Sequence, residues 1–251
     1  MRTISSNPAT SLLFWSQNSN RSNVFEDSLG GDGLFLKSNY ASLFRTLETE
    51  LKSKRLSRFI PAWRTALISE MENVGKRLAV RVPDIEREDL DKILVKFQGN
   101  VGEIFAEKFF LSGYGRDICL PNSYRPVDPH HEEGVDAFGV SPKSGLKIGI
   151  QVKNYLKSEV PLEVFRTAGD ESDKLRCELT PEQFASSLKC PLQYIISFGE
   201  ACAGLKAENE KRIGFLGPGY IESKRICGAW GDSCGDWTFF KEIADEIESV
   251  S

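Results

Sequence analysis

Two short apolar segments joined by a turn constrain the fold of this chain more than any other feature of its sequence. The first covers residues 133–139 and the second covers residues 147–155. Residues 141–145 between them read SPKSG, and Pro and Gly at such a position indicate a turn. Apolar runs of this length bounded by turn residues are typical of strands. The sequence therefore predicts two adjacent strands here.

Three polar residues interrupt this apolar pattern. Asp136 lies in the first segment, and Gln151 and Lys153 lie in the second. Because side chains alternate along a strand, Gln151 and Lys153 should share one face. The opposite face carries the apolar residues expected to pack against a helix, namely Ile148, Ile150 and Val152. Neighbouring strands lie about 5 Å apart, so Asp136 is expected close to Gln151 and Lys153.

These polar groups are suited to holding a divalent cation beside a water molecule. Mg²⁺ prefers oxygen ligands, and Asp136 offers a carboxylate while the backbone carbonyl of Val152 offers a second oxygen. Gln151 offers a neutral amide oxygen. Lys153 would orient the attacking water or help to deprotonate it, and would stabilise negative charge developing on a phosphate. The pattern indicates metal-assisted hydrolysis of a phosphodiester.

The chain before the strand pair is predicted to be mainly helical. Residues 1–36 show no sustained period and are predicted to form an irregular arm or a loosely packed strand pair. Beyond them, the spacing of apolar residues predicts four helices, with breaks at Pro61 and Gly99. The predicted helices cover residues 39–56, 62–78, 83–98 and 103–111.

The remaining predicted elements alternate between strands and helices. Besides the two strands above, strands are predicted at residues 117–120, 193–198 and 213–216, and a polar loop at residues 121–133. One helix is predicted to begin at Thr180, where Pro181 follows the capping residue, and another covers residues 238–248. This order indicates an α/β core built on a small mixed sheet.

Composition and charge exclude several classes of protein. The 251 residues are 40 % hydrophobic and 27 % charged with a formal net charge of -4, which is typical of a globular protein and unlike a strongly basic nucleic-acid coat. No apolar run approaches the roughly 20 residues needed to span a bilayer, and the N-terminus lacks a signal-peptide pattern. The six cysteines form no Cys-x-x-Cys pair, so free thiols in a cytoplasmic protein are expected rather than a zinc ribbon.

One region differs in charge from the acidic whole. Ten basic and four acidic residues lie between Lys37 and Arg81. Two interpretations remain open, a solvated helix face or a surface that contacts phosphates. In the second interpretation, the residues expected to bind nucleic acid are Lys52, Lys54, Arg55 and Arg58.

The order of elements and the polar residues together resemble the PD-(D/E)XK nuclease superfamily, also called the restriction-endonuclease-like fold. The matching residues are Glu103 in a helix, Asp136 after Gly134-Val135, and Gln151-Val152-Lys153 in the following strand. The Gln-x-Lys variant is similar to that of the Mrr-like branch. The resemblance covers roughly residues 99 to 200. It implies an αβββαβ core within residues 99–251 and a mainly helical N-terminal extension over residues 1–98.

The resemblance also implies an activity, a cofactor and partners. It implies a Mg²⁺- or Mn²⁺-dependent DNA endonuclease of a bacterial restriction or anti-phage system. The catalytic residues would be Glu103, Asp136, Gln151 and Lys153, and the metal would be held by Asp136, Gln151, Val152 and Glu103. Such nucleases often work with a partner ATPase or helicase, and this chain has no phosphate-binding Gly-x-x-x-x-Gly-Lys-Ser/Thr motif of its own. A homodimer remains open, and no membrane association is expected.

Three alternatives stay open at this point. Glu107 lies one helical turn after Glu103 and shares its face, so it competes for the same role. The neutral amide of Gln151 stands where most of the superfamily has a carboxylate, which keeps open a catalytically inactive subunit of the same fold. A DNA-repair or junction nuclease is the third alternative.

Overall fold

The structure is a computed structural model of the chain. It describes residues 34–52, 59–126, 135–156, 159–160, 168–169, 175–176, 192–201, 213–224, 226 and 238–249. These residues form an α/β fold in which helices pack against a five-stranded mixed sheet. The prediction of an α/β fold on a mixed sheet is therefore confirmed.

The main sheet combines antiparallel and parallel pairs. The described strands are β1 (Arg125–Pro126), β2 (Ala137–Val140), β3 (Lys147–Lys153), β4 (Glu159–Val160), β5 (Ala168–Gly169), β6 (Leu175–Arg176), β7 (Leu192–Ser197), β8 (Glu200–Ala201) and β9 (Ile213–Leu216). The sheet order is β1-β2-β3-β7-β9, and β4 with β8 and β5 with β6 form separate pairs. Strands β1, β2 and β3 pair antiparallel, whereas β3, β7 and β9 pair parallel.

The described helices are α1 (Leu34–Lys52), α2 (Phe59–Arg81), α3 (Arg87–Leu111), α4 (Pro218–Ser223) and α5 (Thr238–Ser249). The described residues also include a 3₁₀ turn at Pro121–Ser123. Helix α1 packs against α2 and α5, and α3 packs against β3. The N-terminal helices are thus built into the same body as the sheet.

The predicted strand pair is confirmed as the β2–β3 hairpin. Its turn is closed by hydrogen bonds from Ser141 N to Leu146 O and from Gly145 N to Ser141 O, both 2.9 Å. Gly145 has φ +68°, a value that favours glycine. On β3, Ile148 and Ile150 are fully buried and Val152 packs against the core, as their alternation predicted.

Pro61 does not interrupt the second helix. It lies in the first turn of α2, which begins at Phe59. The first backbone N–H groups of a helix have no partner within the helix, so proline there removes no hydrogen bond. The predicted break at this residue is therefore wrong, and one helix extends to Arg81.

Gly99 likewise does not end a helix. Helix α3 is continuous from Arg87 to Leu111, with Gly99 and Gly102 in its interior. Tertiary packing overrides the low helix propensity of glycine here, because much of the C-terminal half of α3 is buried. The predicted separation into two helices is wrong, and the boundary drawn between residues 98 and 99 falls inside this continuous helix.

The predicted strand at residues 117–120 is a turn. The backbone N–H groups of Ile118 and Cys119 both donate to Gly115 O, at 2.9 and 3.0 Å, and are therefore used locally. Only Leu120 reaches the sheet, donating its N–H to Val140 O at 2.9 Å. The strand that pairs with β2 is instead β1, which lies within the predicted polar loop.

Three of the elements predicted after the β2–β3 hairpin are present in the structure. Strands β7 and β9 and helix α5 confirm the predicted elements at residues 193–198, 213–216 and 238–248. The helix predicted to begin at Thr180 and residues 1–33 lie outside the described residues.

Helices from both ends of the chain share one hydrophobic core. Phe59 of α2 stacks with Phe105 of α3 at 5.5 Å between ring centroids and with Phe240 of α5 at 5.9 Å. Lys108 of α3 is buried, and its Nζ pairs with Glu246 at 2.7 Å and Glu242 at 3.0 Å. These contacts fix α3, whose other side packs against β3, to the C-terminal helix.

None of the helices in the described part of the chain combines the length and apolarity that crossing a bilayer would require.

Candidate metal and phosphate site

Asp136 lies directly before β2 and is bound to β3 through both backbone and side chain. Its N–H donates to Ile150 O at 2.9 Å, and its Oδ2 accepts the N–H of Val152 at 2.5 Å. The prediction that Asp136 lies within the strand is wrong by one residue, because β2 begins at Ala137. The carboxylate takes the place of a backbone acceptor for Val152, which ends the regular ladder there. The predicted proximity of Asp136 to the Gln-x-Lys strand is present.

Gln151 presents a buried acceptor. Its side chain is only 4 % exposed, and its Oε1 has no hydrogen-bond partner among the residues that the structure describes. Burying an amide oxygen without a partner costs free energy, so most buried polar atoms are paired. An oxygen of this kind is suited to accept a cation or a donor group from outside the fold.

The backbone of β3 directs one more oxygen towards Asp136. In a strand, the N–H and C=O of one residue point to the same neighbouring strand. Val152 N donates to the Asp136 carboxylate, so the Val152 carbonyl points to that side as well. The next residue points the other way, because Lys153 O accepts from Phe198 N at 3.1 Å. The Val152 carbonyl therefore points to the side of β3 on which Asp136 lies, and its role as a metal ligand stays a prediction.

Lys153 ends β3 with a half-buried side chain. Within the described ranges, its Nζ makes no ion pair or hydrogen bond. Several other lysines there are paired, such as Lys224, whose Nζ lies 2.6 Å from Asp117 Oδ1. Lys153 lies two residues after Gln151, at the end of the same strand.

Two acids of α3 and Asp136 all act electrostatically on one buried tyrosine, Tyr124. The phenol of Tyr124 is almost fully buried, and burial raises its pKa well above the usual value. The negative charges of Glu107, Asp136 and Glu103 raise this pKa further, so the three carboxylates lie within electrostatic reach of one hydroxyl. Glu103 is half-buried, whereas Glu107 is 1 % exposed. This shared effect on Tyr124 does not place either glutamate next to the Asp136 carboxylate, and the choice between Glu103 and Glu107 stays a prediction.

Gly102 permits the close approach of α3 to β3. A Cβ atom at this position would lie 2.7 Å from Asn154 Cβ and 3.2 Å from Val152 Cγ1. Distances this short are not tolerated, so only glycine allows the present separation of helix and strand. Gly102 thus sets the separation between β3 and helix α3, which carries Glu103.

Sequence reasoning missed several residues that surround the site. Tyr124, Gly102 and Asn154 carry no motif, although Gly102 and Asn154 directly adjoin the predicted residues Glu103 and Lys153. The described residues contain no group of three or more His, Cys, Asp and Glu side chains that could hold a metal ion. The loop with His130 and His131 lies outside those residues.

The basic N-terminal region is partly engaged in internal contacts. Arg45 forms ion pairs with Glu248 at 2.5 Å and Asp245 at 2.9 Å on α5, and these partners raise the pKa of its guanidinium. Arg77 donates to Asn39 Oδ1 at 2.7 Å. The four residues predicted to bind nucleic acid stay a prediction, because no side chain is described for Lys52, Lys54, Arg55 or Arg58.

Comparison with known proteins gives no relative, since no family model, no curated protein and no solved structure matches this chain.

Proposed function

We propose that this protein is a metal-dependent nuclease that hydrolyses phosphodiester bonds and that DNA is its substrate. One observation carries the proposal. The buried amide oxygen of Gln151 has no partner among the described residues, and the backbone N–H of the next residue, Val152, binds the Asp136 carboxylate. An unpaired oxygen acceptor and a carboxylate on neighbouring segments are groups that a divalent cation prefers as ligands. Lys153 follows on the same strand.

The proposed fold family is the restriction-endonuclease-like core, in its Mrr-like form. The support is the order of a helix carrying Glu103, an antiparallel strand pair with Asp136 directly before its first strand and Gln151-Val152-Lys153 in its second, and a parallel strand β7 beside it. This order agrees with the resemblance in the sequence.

The residues at the site fit a divalent cation with oxygen preference, Mg²⁺ or Mn²⁺. Asp136, Gln151, the Val152 carbonyl and Glu103 would hold it. Such a cation lowers the pKa of a bound water and offsets negative charge on a phosphate. Gln151 contributes no charge, so this donor set should bind the cation more weakly than one with a further carboxylate.

Lys153 would act on the substrate through its ammonium group. Its three N–H donors can hold an attacking water or a phosphate oxygen, and its positive charge favours the transition state, in which negative charge increases. Half-burial of the side chain reduces its contact with bulk water and so strengthens these interactions.

The wider setting of this activity belongs to the same proposal. A bacterial restriction or anti-phage system is the setting that the resemblance favours, with a partner ATPase or helicase in the cytoplasm. Lys52, Lys54, Arg55 and Arg58 would contact the DNA backbone. A catalytically inactive subunit of the same fold is the second candidate, and the neutral side chain of Gln151 is the observation that favours it.

Purified protein should cleave plasmid or single-stranded DNA in the presence of Mg²⁺ or Mn²⁺. Cleavage should stop when EDTA is added. Lys153→Met should lower the cleavage rate by about a hundredfold or more, since the charge that stabilises the transition state is lost. Lys147→Met is the matched control, because Lys147 is exposed at the other end of β3. Cleavage that resists EDTA, or that both variants retain, would contradict the proposal. Gel assays with and without a candidate partner protein measure these outcomes.

Replacing Gln151 with Glu should tighten Mn²⁺ binding by about tenfold, because a charged ligand replaces a neutral one. Gln151→Leu should weaken the same binding, since it removes the amide oxygen. Isothermal titration calorimetry measures both. If neither variant changes the affinity, Gln151 is not a ligand. If the wild type is inactive and Gln151→Glu cleaves DNA, the inactive-subunit candidate is correct.

A further inference from the structure

Asn154, the residue after Lys153, is fixed by both ends of its side-chain amide. It is only 6 % exposed. Its Oδ1 accepts the indole N–H of Trp63 at 2.9 Å, and its Nδ2 donates to Gln98 O at 2.7 Å. The Gln98 side chain in turn donates from Nε2 to the backbone carbonyl of Asn154. Helices α2 and α3 therefore both bind this one residue.

An aromatic pair links Asn154 back to Lys153. The Trp63 ring is fully buried and stacks on the Phe198 ring, with centroids 4.2 Å apart and planes 11° apart. The backbone N–H of Phe198 donates to Lys153 O at 3.1 Å. A closed chain of contacts thus joins Lys153, Phe198, Trp63 and Asn154. We name these four residues together with Gln98 the Asn154 clamp.

The residues on both sides of Lys153 are held by hydrogen bonds. Before it, Val152 N is held by the Asp136 carboxylate, and after it, Asn154 is held by Trp63 and Gln98. A lysine side chain has a flexible four-carbon stem, so a fixed backbone limits the positions that its ammonium can take. A displacement of about 1 Å at a reacting group can lower a rate by about a hundredfold.

We propose that Asn154 is a positioning residue, which holds the backbone of β3 so that the Lys153 ammonium and the Asp136 carboxylate stay aligned. Trp63 and Gln98 belong to the N-terminal helices, so these helices form part of the framework of the site. The inference rests on the proposed nuclease function for its catalytic consequence. The clamp itself rests only on the contacts above.

The test uses the full-length protein with Asn154→Leu. Leucine matches the asparagine side chain in size and removes both the amide oxygen acceptor and the amide N–H donor. Trp63→Phe is the second variant, because it keeps an aromatic ring to stack on Phe198, while it removes the N–H donor together with the smaller ring of the indole. Asn100→Leu is the matched control. Asn100 is a buried asparagine on α3 that donates to Tyr40 OH of α1 at 3.0 Å.

Two measurements separate positioning from general stability. Hydrogen exchange of the peptide over residues 148–155 should accelerate at least tenfold in Asn154→Leu and Trp63→Phe, but not in Asn100→Leu. Single-turnover DNA cleavage should slow by about ten- to a hundredfold in the first two variants, with the Kd for DNA and the Kd for Mn²⁺ unchanged.

Each result decides one of the two claims. Unchanged exchange in the two clamp variants would overturn the clamp whether or not the protein cleaves DNA. Faster exchange with an unchanged cleavage rate, or an equal loss of rate in Asn100→Leu, would overturn the positioning role. A wild-type protein that fails to cleave DNA would refute the nuclease function, while faster exchange would still support the clamp.

Discussion

Replacing Asp136 with asparagine is expected to lower DNA cleavage by on the order of a thousandfold at a fixed Mg²⁺ concentration. Asparagine has nearly the same shape, and its Oδ1 can still accept the hydrogen bond from Val152 N that Asp136 accepts now. The fold at the start of β2 should therefore persist. The negative charge that attracts the cation is lost, and this loss accounts for the expected effect. Initial rates on plasmid DNA measure it.

The matched control for this variant is Asp91→Asn. Asp91 is exposed on α3, so the same change in charge occurs away from the site. Thermal melting of both variants should stay close to that of the wild type. Equal loss of cleavage in both variants would point to net charge rather than to a metal ligand. Full cleavage by Asp136→Asn would show that Asp136 does not hold the cation.

Gly102→Ala is expected to destabilise the protein although alanine favours helices. The new Cβ would lie 2.7 Å from Asn154 Cβ, which is the root of a side chain held on both ends by the Asn154 clamp. Inserting atoms into a packed interior costs about 1–3 kcal/mol, which should exceed the gain of about 1 kcal/mol in helix propensity. Urea unfolding should show a lower midpoint, and DNA cleavage should slow because α3 is pushed away from β3.

Gly99→Ala, in the same helix, is expected to stabilise the protein. No heavy atom lies within 4 Å of the Cβ that would be added there, so only the gain in propensity applies. This variant should be more stable than the wild type by up to about 1 kcal/mol. A comparable stabilisation by Gly102→Ala would show that α3 does not approach β3 as closely as described.

Local patterns in the sequence predict the parts of the fold that depend on local chemistry. The β2–β3 turn follows from its Pro and Gly residues, and the buried face of β3 follows from the alternation of Ile148 and Ile150. Helix α5 follows from its apolar period. For the same reason, the spacing of Asp136, Gln151 and Lys153 along two adjacent strands is enough to predict that they are neighbours.

The sequence-based predictions were wrong or incomplete where contacts between distant parts of the chain determine the structure. Glycine is a poor helix former, yet Gly99 continues α3 because that helix is held by the sheet and by α5. The ladder ends at Asp136 because a side chain replaces a backbone acceptor, which no periodicity reports. Trp63 binds Asn154 across a separation of 91 residues, so spacing along the chain gives no sign of the contact.

The Asn154 clamp has a consequence for how such a chain could be divided or exchanged during evolution. Residues 99–251 carry every residue of the proposed catalytic set, but Trp63 and Gln98 lie outside them. A transfer of that segment into another protein would cut α3 between Gln98 and Gly99 and would leave Asn154 without the groups that now bind it. The proposed chemistry would therefore be inherited together with the helices α2 and α3 that hold β3 in place.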